Sequence, residues 1–321
     1  MYTPAHRNAL IDLARRCLLG EDAAEAESIV DVLTRAPIGV VSMVDGRLVG
    51  AAIASASHKD PTAAHLDLLL VDPEHRRRGI ARGLLAELER LLKARGMTSI
   101  SVKGNPPDYA WPGVDVRYTA AICALEAAGY THDRTAWNMT APLPVPAERK
   151  PKEIEGIEIR RAAEADLDRL RAMVSAEWGP AWTAEVERAI TGSGAQGAAR
   201  RPRPGNRRSP VVGAEGAARR PQTGNRRSPV VGGVHAAFRN GEPVAFAAWG
   251  GCRPSWFGPM GTLPAASGLG LGSVLLRRCL EDQAALGLDS AQIGWVGPVP
   301  FYSNAVGAYI DRVFFLFSKS I

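Results

Sequence analysis

The chain opens with apolar residues at helical spacing, Leu10, Leu13, Ala14 and Cys17, and the same spacing returns over residues 24–33. Next comes the alternating run Gly39-Val40-Val41-Ser42-Met43, and an Asp45-Gly46 turn leads into residues 48–54, which together predict a β-hairpin. Residues 64–71 form an apolar stretch of strand length. After a glycine-containing turn, residues 82–95 predict a helix that Gly96 closes. A last strand over 99–103 and a helix around 118–128 complete this set.

The order then repeats. Residues 157–161 read as a strand and 165–174 as a helix. Residues 233–238 turn at Asn240-Gly241 into 243–249, and 256–262 reads as a strand. A glycine-rich turn, a helix over 273–286, a strand over 291–296 and a final helix near Phe301 close the second set. The two sets predict an α/β chain, with a mixed sheet in each of two similar domains.

Between the sets lies Pro142-Leu143-Pro144-Val145-Pro146, followed by a charged run that ends at Glu153, the composition of a stiff linker. The predicted boundaries are an N-terminal domain over 1–143, a linker over 144–155 and a C-terminal domain over 156–321. At 321 residues the chain is long enough for two cores.

The second domain is interrupted by two 19-residue copies, 195–213 and 214–232, which differ at three positions. Glycine, proline, arginine and serine dominate them, so they have little apolar surface to offset the entropy of ordering. A disordered insert at about 195–232 is expected. This insert also explains the formal charge of +6: it carries nine arginines against Glu215 alone, and the rest of the chain is close to neutral. Without interleaved aromatic residues the arginines do not predict a specific nucleic-acid partner.

Apolar residues make up 46% of the chain, but no stretch approaches the ~18 consecutive apolar residues of a membrane span. The start of the chain lacks the apolar core of a secretory signal, so the expected location is cytoplasmic. Four scattered cysteines form no C-x-x-C pair and predict neither zinc nor a disulfide framework.

The chemistry concentrates at the two glycine turns. Val71-Asp72-Pro73-Glu74-His75-Arg76-Arg77-Arg78-Gly79-Ile80-Ala81-Arg82-Gly83 places a strand end, a turn and a helix start in succession. Small residues there let backbone N–H groups and the positive end of a helix approach a pyrophosphate. The flanking arginines add charge-assisted contacts. In this pattern the chain resembles the Gcn5-related N-acetyltransferase (GNAT) superfamily, whose donor motif is Gln/Arg-x-x-Gly-x-Gly/Ala after a strand ending in Val-x-Pro.

The resemblance extends to Tyr118, Ala121, Leu125, Gly129 and Tyr130, with Leu125 standing where the family usually carries its catalytic tyrosine. In the second half, Thr262-Leu263-Pro264-Ala265-Ala266-Ser267-Gly268-Leu269-Gly270-Leu271-Gly272 aligns on the same proline, with Ser267 in place of the arginine. The closing element Pro300-Phe301-Tyr302 supplies a tyrosine.

The resemblance implies two GNAT-like acyl-CoA N-acyltransferase domains in tandem, a pseudo-dimer within one chain. It also implies direct transfer of an acetyl group from acetyl-CoA, with no metal, to the primary amine of a small molecule or a protein. Donor contacts are expected at Leu69, Val71, Arg76, Arg77, Arg78, Gly79, Ile80, Ala81 and Arg82, and in the second domain at Thr262, Ser267, Gly268, Gly270 and Gly272. Tyr302 is the expected acid for the departing thiolate. The base is sought among Asp67, His65 and Glu74, with Asp67 first. Trp178 and Trp182 fall where the family places its acceptor-pocket helices, although core packing is the simpler role. Tyr109 and Trp111 lie in the loop over 105–113, which reads equally as a cover for the first cleft or as a rigid turn. The alternative reading is a catalytically silent acyl-CoA-binding regulatory module.

Overall fold

The structure, a computed structural model, describes residues 1–146, 154–193 and 232–321. The duplicated arginine-rich insert and most of the linker lie outside the described residues.

The amphipathic start of the chain folds as α1 (Arg7–Cys17), α2 (Gly20–Ala24) and α3 (Ala26–Leu33). The hairpin β1 (Ile38–Val44) and β2 (Arg47–Ala56) follows, turning through Asp45 and Gly46, both with positive φ. Next come β3 (Ala63–Val71), α4 (Ile80–Lys93), β4 (Ser99–Val102), the two-residue β5 (Val114–Asp115) and α5 (Thr119–Ala127). Each half then ends in a twelve-residue strand that the apolar pattern does not announce, β6 (Thr131–Pro142) in the first.

The second half runs β7 (Glu158–Arg161), α6 (Leu167–Trp178), α7 (Pro180–Ser193), β8 (Gly233–Arg239) and β9 (Glu242–Trp249). It continues with β10 (Trp256–Thr262), α8 (Leu271–Ala285), β11 (Ser290–Ile293), α9 (Val299–Val306) and its own long strand, β12 (Tyr309–Ser320).

These strands form one continuous sheet in the order β1-β2-β3-β4-β12-β6-β11-β10-β9-β8-β7. The two long strands trade places. β12, from the second half, lies between β4 and β6, while β6, from the first, lies between β12 and β11. The halves therefore share a sheet across the proline-rich boundary.

Both halves open the sheet in the same way. Parallel β3 and β4 pair only at Ala63–His65 with Ser99–Ser101, and parallel β10 and β11 only at Trp256 and Phe257 with Gln292 and Ile293. Beyond those pairs the strands part. The register of each long hairpin also shifts there, at Asp67 in β3 and at Gly258-Pro259 in β10. Such bulges bend a strand and re-aim its backbone groups.

Four apolar clusters hold this frame. Leu84, Leu85, Leu88 and Leu92 of α4 pack on one face of the first half, and α1 and α3 pack with Leu68 and Leu70 on the other. Leu275, Leu276, Cys279 and Leu280 of α8 repeat the α4 arrangement in the second half, and α6 and α7 pack against β8 and β9. Cys252 and Trp256, from the second half, belong to the cluster under α1 and α3, so the halves also share a core. Among the described residues, no helix is long and apolar enough to cross a membrane.

Candidate functional site

The two glycine turns have the same backbone. Arg77 and Gly79 carry φ of 63° and 78° in the first; Gly268 and Gly270 carry 79° and 81° in the second. Gly79 and Gly270 cap α4 and α8, so each turn points the first amides of a helix outward. A Cβ at Gly79, Gly268 or Gly270 would meet nothing within 4 Å, so the space in front of each turn is open. The first turn forces a non-glycine residue, Arg77, into the left-handed region. The second uses glycine at both positions and carries no cation, although Arg239 reaches the carbonyl of Ala265 at 3.5 Å.

The surroundings of the turns differ. Around the second lies a cleft of about 1040 Å³. Thr262, Ser267, Gly268, Gly270, Gly272 and Tyr302, all expected from the sequence, line it together. Tyr302 is 8% exposed, and burial pushes its hydroxyl up to about 12, so it stays protonated at neutral pH. Two glycines shape the floor. A Cβ at Gly294 would lie 1.9 Å from Cζ2 of Trp256, and one at Gly261 would lie 2.5 Å from Cζ2 of Trp178. Only glycine lets these indoles lie against the parting strands.

The cleft also holds groups that sequence reasoning did not single out. Glu185, one turn after Trp182 on α7, is 2% exposed and lines the cleft. Burial pushes its carboxyl up to about 8, against the lowering influence of Arg188 and of the hydrogen bond that the Tyr109 hydroxyl donates to it at 3.3 Å. Trp182 packs on the α6–α7 cluster, the simpler role read from the sequence, and also lines the cleft; Glu185 at i+3 from it was the available signal. Trp178 stacks on Trp182 at 5.9 Å and packs against the α6–α7 cluster.

Tyr109 does not cover the first cleft. The loop after β4 crosses to the second half, where Arg188 donates to the Pro107 carbonyl at 2.8 Å and to Asp108 at 2.8 Å, and Tyr109 meets Trp256 edge-on at 5.6 Å. Lys59, Lys103, Gly104, Pro106, Tyr109 and Arg134 thereby line the second half's cleft from the first half.

In the first half the groups beside the parted strands bond to one another. The Val71 carbonyl, an expected donor contact, accepts from Cys17 Sγ at 3.4 Å and from Arg76 Nε at 3.2 Å. Tyr118 caps α5, and its hydroxyl accepts from the Leu19 amide at 2.9 Å. Beyond them Asp22, with no exposed surface, receives Arg312 at 2.6 Å, Trp111 Nε1 at 3.1 Å and Arg253. Asp115 holds the other side of Arg312 at 2.8 Å. Burial alone would raise the Asp22 carboxyl; Arg253 and Arg312 outweigh it and bring it to about 2.

The base candidates of the first half are placed apart from Tyr302. Asp67 sits at the β3 bulge, where burial pushes its carboxyl well above the usual range despite a hydrogen bond with Ser55. His65 is buried with Nδ1 3.1 Å from the Lys103 carbonyl, and burial lowers it to about 4. Asp72, Glu74 and His75 bring three potential ligand atoms together, but Asp72 is already held by Arg16 and Arg47, each at 3.0 Å. Leu125 is a core residue of the α4 side. Counting back from the left-handed glycines that follow α5 and α9, Gly129 and Gly307, Tyr302 corresponds to Ala124 rather than Leu125, and the first half has no hydroxyl at that place.

Parting parallel strands, a bulge at the parting and a glycine turn capping the next helix occur twice in one sheet, which gives the chain the fold of two Gcn5-related N-acetyltransferase (GNAT) domains in tandem. Residues 8–110 match the model of the acetyltransferase (GNAT) family. No curated protein matches the chain by sequence.

Solved structures agree in fold at low identity. A tandem GNAT protein from the clavulanic acid biosynthesis pathway shares 15% identity with a TM-score of 0.63, over 98% of this chain and 95% of that one. A GCN5-related N-acetyltransferase from Sphaerobacter thermophilus shares 17% with a TM-score of 0.59, over 99% and 94%. A GCN5-related glucosamine N-acetyltransferase region of a fungal multi-domain GH3 β-N-acetylglucosaminidase shares 15% with a TM-score of 0.68. It covers 99% of this chain, which spans 37% of that one.

Proposed function

We propose that the chain transfers an acetyl group from acetyl-CoA directly to a primary amine, in the cleft of its second half. The observation that carries this reading is one cavity that contains an open glycine turn, a protonated phenol and a buried carboxyl titrating near 8.

Acetyl-CoA is the substrate that such a turn suits. The amides of Gly268, Gly270 and Gly272 and the N-terminus of α8 accept its pyrophosphate without a side-chain cation at Ser267. The thioester then lies along the edge of β10 freed by the bulge, where a backbone amide between Met260 and Thr262 faces the carbonyl oxygen. A preorganised amide there stabilises the oxyanion of the tetrahedral intermediate. Glu185, once ionised, takes a proton from the ammonium or amine; its raised pKa makes it a stronger base than a solvated carboxylate. Tyr302 gives its proton to the thiolate as the carbon–sulfur bond breaks.

The first half supplies a wall and shared strands. Its own turn, from Arg76 to Arg82, remains open to an anion, but the acceptor side of that cleft is closed by the Asp22 cluster. The test is incubation of the purified protein with acetyl-CoA and a panel of amines, read by mass spectrometry. Gain of one acetyl group on an amine, abolished in Tyr302→Phe and retained in Gly79→Val, is the expected result. Transfer lost in Gly79→Val and kept in Tyr302→Phe would move the reaction to the first half.

A further inference from the structure

The charges of the cleft say what kind of amine it suits. Lys59, Lys103 and Arg134 line it, and Glu185 is the one carboxylate among its lining residues. None of the three cations has an ion-pair partner among the described residues, whereas Arg188 and Arg35, behind the same loop, are held by Asp108 at 2.8 and 3.5 Å. With Glu185 protonated over much of the neutral range, these cations leave the lining of the cleft positive.

All three cations come from the first half. Lys59 stands in the turn between β2 and β3, Lys103 at the end of β4, and Arg134 on β6. Lys103 is in the loop that carries Tyr109, and Tyr109 touches Glu185. Two of the cations are thus linked to the loop that touches the buried acid, Lys103 within it and Lys59 next to His58, whose amide donates to Asn105 Oδ1 at 3.4 Å, and the glycine turn that suits the donor's pyrophosphate belongs to α8 in the other half.

The equivalent hairpin turn of the second half, between β9 and β10, is used differently. It sends Arg253 into the first half, where Asp22 and Glu25 neutralise it at full burial. One turn closes a cleft with a paired cation, and its counterpart offers an unpaired one to an open cleft.

We infer that the acceptor is a primary amine that also carries a carboxylate or phosphate, with the amine directed to Glu185 and the anionic group held by Lys59, Lys103 and Arg134. This rests on the acetyl-transfer reading of the same cleft. A zwitterionic amine satisfies both ends: its ammonium faces the one acid, and its anion replaces the solvent around the cations. Charge-assisted hydrogen bonds of this kind discriminate against a neutral isostere, because the amide leaves the same cations unpaired.

The test uses matched probes, a panel of aliphatic amino acids and their carboxamides, titrated calorimetrically into the full chain saturated with coenzyme A. Carboxylate forms should bind about tenfold or more tightly than the amides, and Lys59→Ala/Lys103→Ala should remove that preference while leaving carboxamide binding unchanged. Equal affinity for both members of every pair, or binding of neither, would overturn the inference. So would a loss of coenzyme A affinity in the double variant with no change in the amines, because the cations would then serve the donor's phosphates. Acetyl transfer is measured separately on the same pairs. Selective binding without transfer defeats the acetylation reading alone, and transfer without selectivity defeats the acceptor inference alone.

Discussion

The two clefts start from the same backbone and end as opposites. Each has parting strands, a bulge and a helix capped by a left-handed glycine. In the first half the bulge carries an aspartate, the Cys17 thiol bonds the Val71 carbonyl and four charges interlock nearby; in the second a bulged glycine and proline border an open cleft. A duplicated frame therefore fixes where a site can be. The side chains that enter from the neighbouring half decide whether it is a site or a core.

The largest effect expected from this contrast is on turnover. Tyr302→Phe should lower kcat by about a hundredfold to ten-thousandfold while acetyl-CoA affinity, followed by calorimetry, stays nearly constant. Full turnover in that variant together with loss on changing Asp67 would exchange the roles of the halves.

Next is the charge cluster of the first half. Arg312→Met leaves Asp22 and Asp115 buried without their shared partner and should cost about 3–5 kcal/mol of unfolding free energy in urea titrations. The same cluster sets an acid limit. Asp22 is held at about 2, below its ordinary 3.8, so its contribution is complete above ~3.8 and is lost as pH falls from there towards 2. A variant as stable as the parent at pH 7 would show that the cluster is not what closes the first half.

A smaller change is expected at Glu185. Its ionised form is the active one, so the rate should rise as pH passes through about 8, and Glu185→Gln should flatten that limb and lower the plateau by about a hundredfold. An unchanged pH profile would leave the base unassigned.

The smallest effect separates the turns. Gly270→Val puts a branched side chain at φ 81° and should weaken productive acetyl-CoA binding by about tenfold, read in KM. Gly79→Val, at φ 78°, should lower coenzyme A binding at the first turn and leave KM alone. A KM that responds to Gly79 and ignores Gly270 would reverse the comparison.

Much of this was legible in the sequence, because the turns are written in residues whose backbone preferences are unusual. The paired glycines, the prolines before them and the apolar strands ahead of them mark both glycine turns and the repeated order of elements. Tyr302 stands out in the sequence as the tyrosine of the element that closes on Gly307, and the structure places it in the lining of the second half's cleft. The two long strands were not legible. The first half of β6, Thr131 to Thr135, is exposed and mixes His132, Asp133 and Arg134, and β12 begins with exposed Tyr309, Ile310 and Asp311, so neither shows the alternation of a half-buried strand. Their pairing is with the other half of the chain, information that no local window contains.

Glu185 and the Asp22 cluster were hidden for a related reason. A glutamate on a mixed helix and an aspartate in Gly20–Ala24 look like solvated charges, and only burial against a distant segment changes their chemistry. The loop over 105–113 could be read as a cover for the first cleft or as a rigid turn, and its packing on Arg188 and Trp256 is not local information, because its own half supplies only one of its two sides.

The exchanged strands also constrain how the protein is made. The slot between β4 and β6 is part of the first half, yet the residues that fill it are 309–320, encoded some two hundred positions later. A ribosome releases the N-terminal half well before those residues exist, so two unpaired strand edges face the cell until synthesis reaches β12. The polar, charged outer part of β6 suits that interval: an edge bearing His132, Asp133 and Arg134 is a poor template for a stray strand and waits for the one that fits.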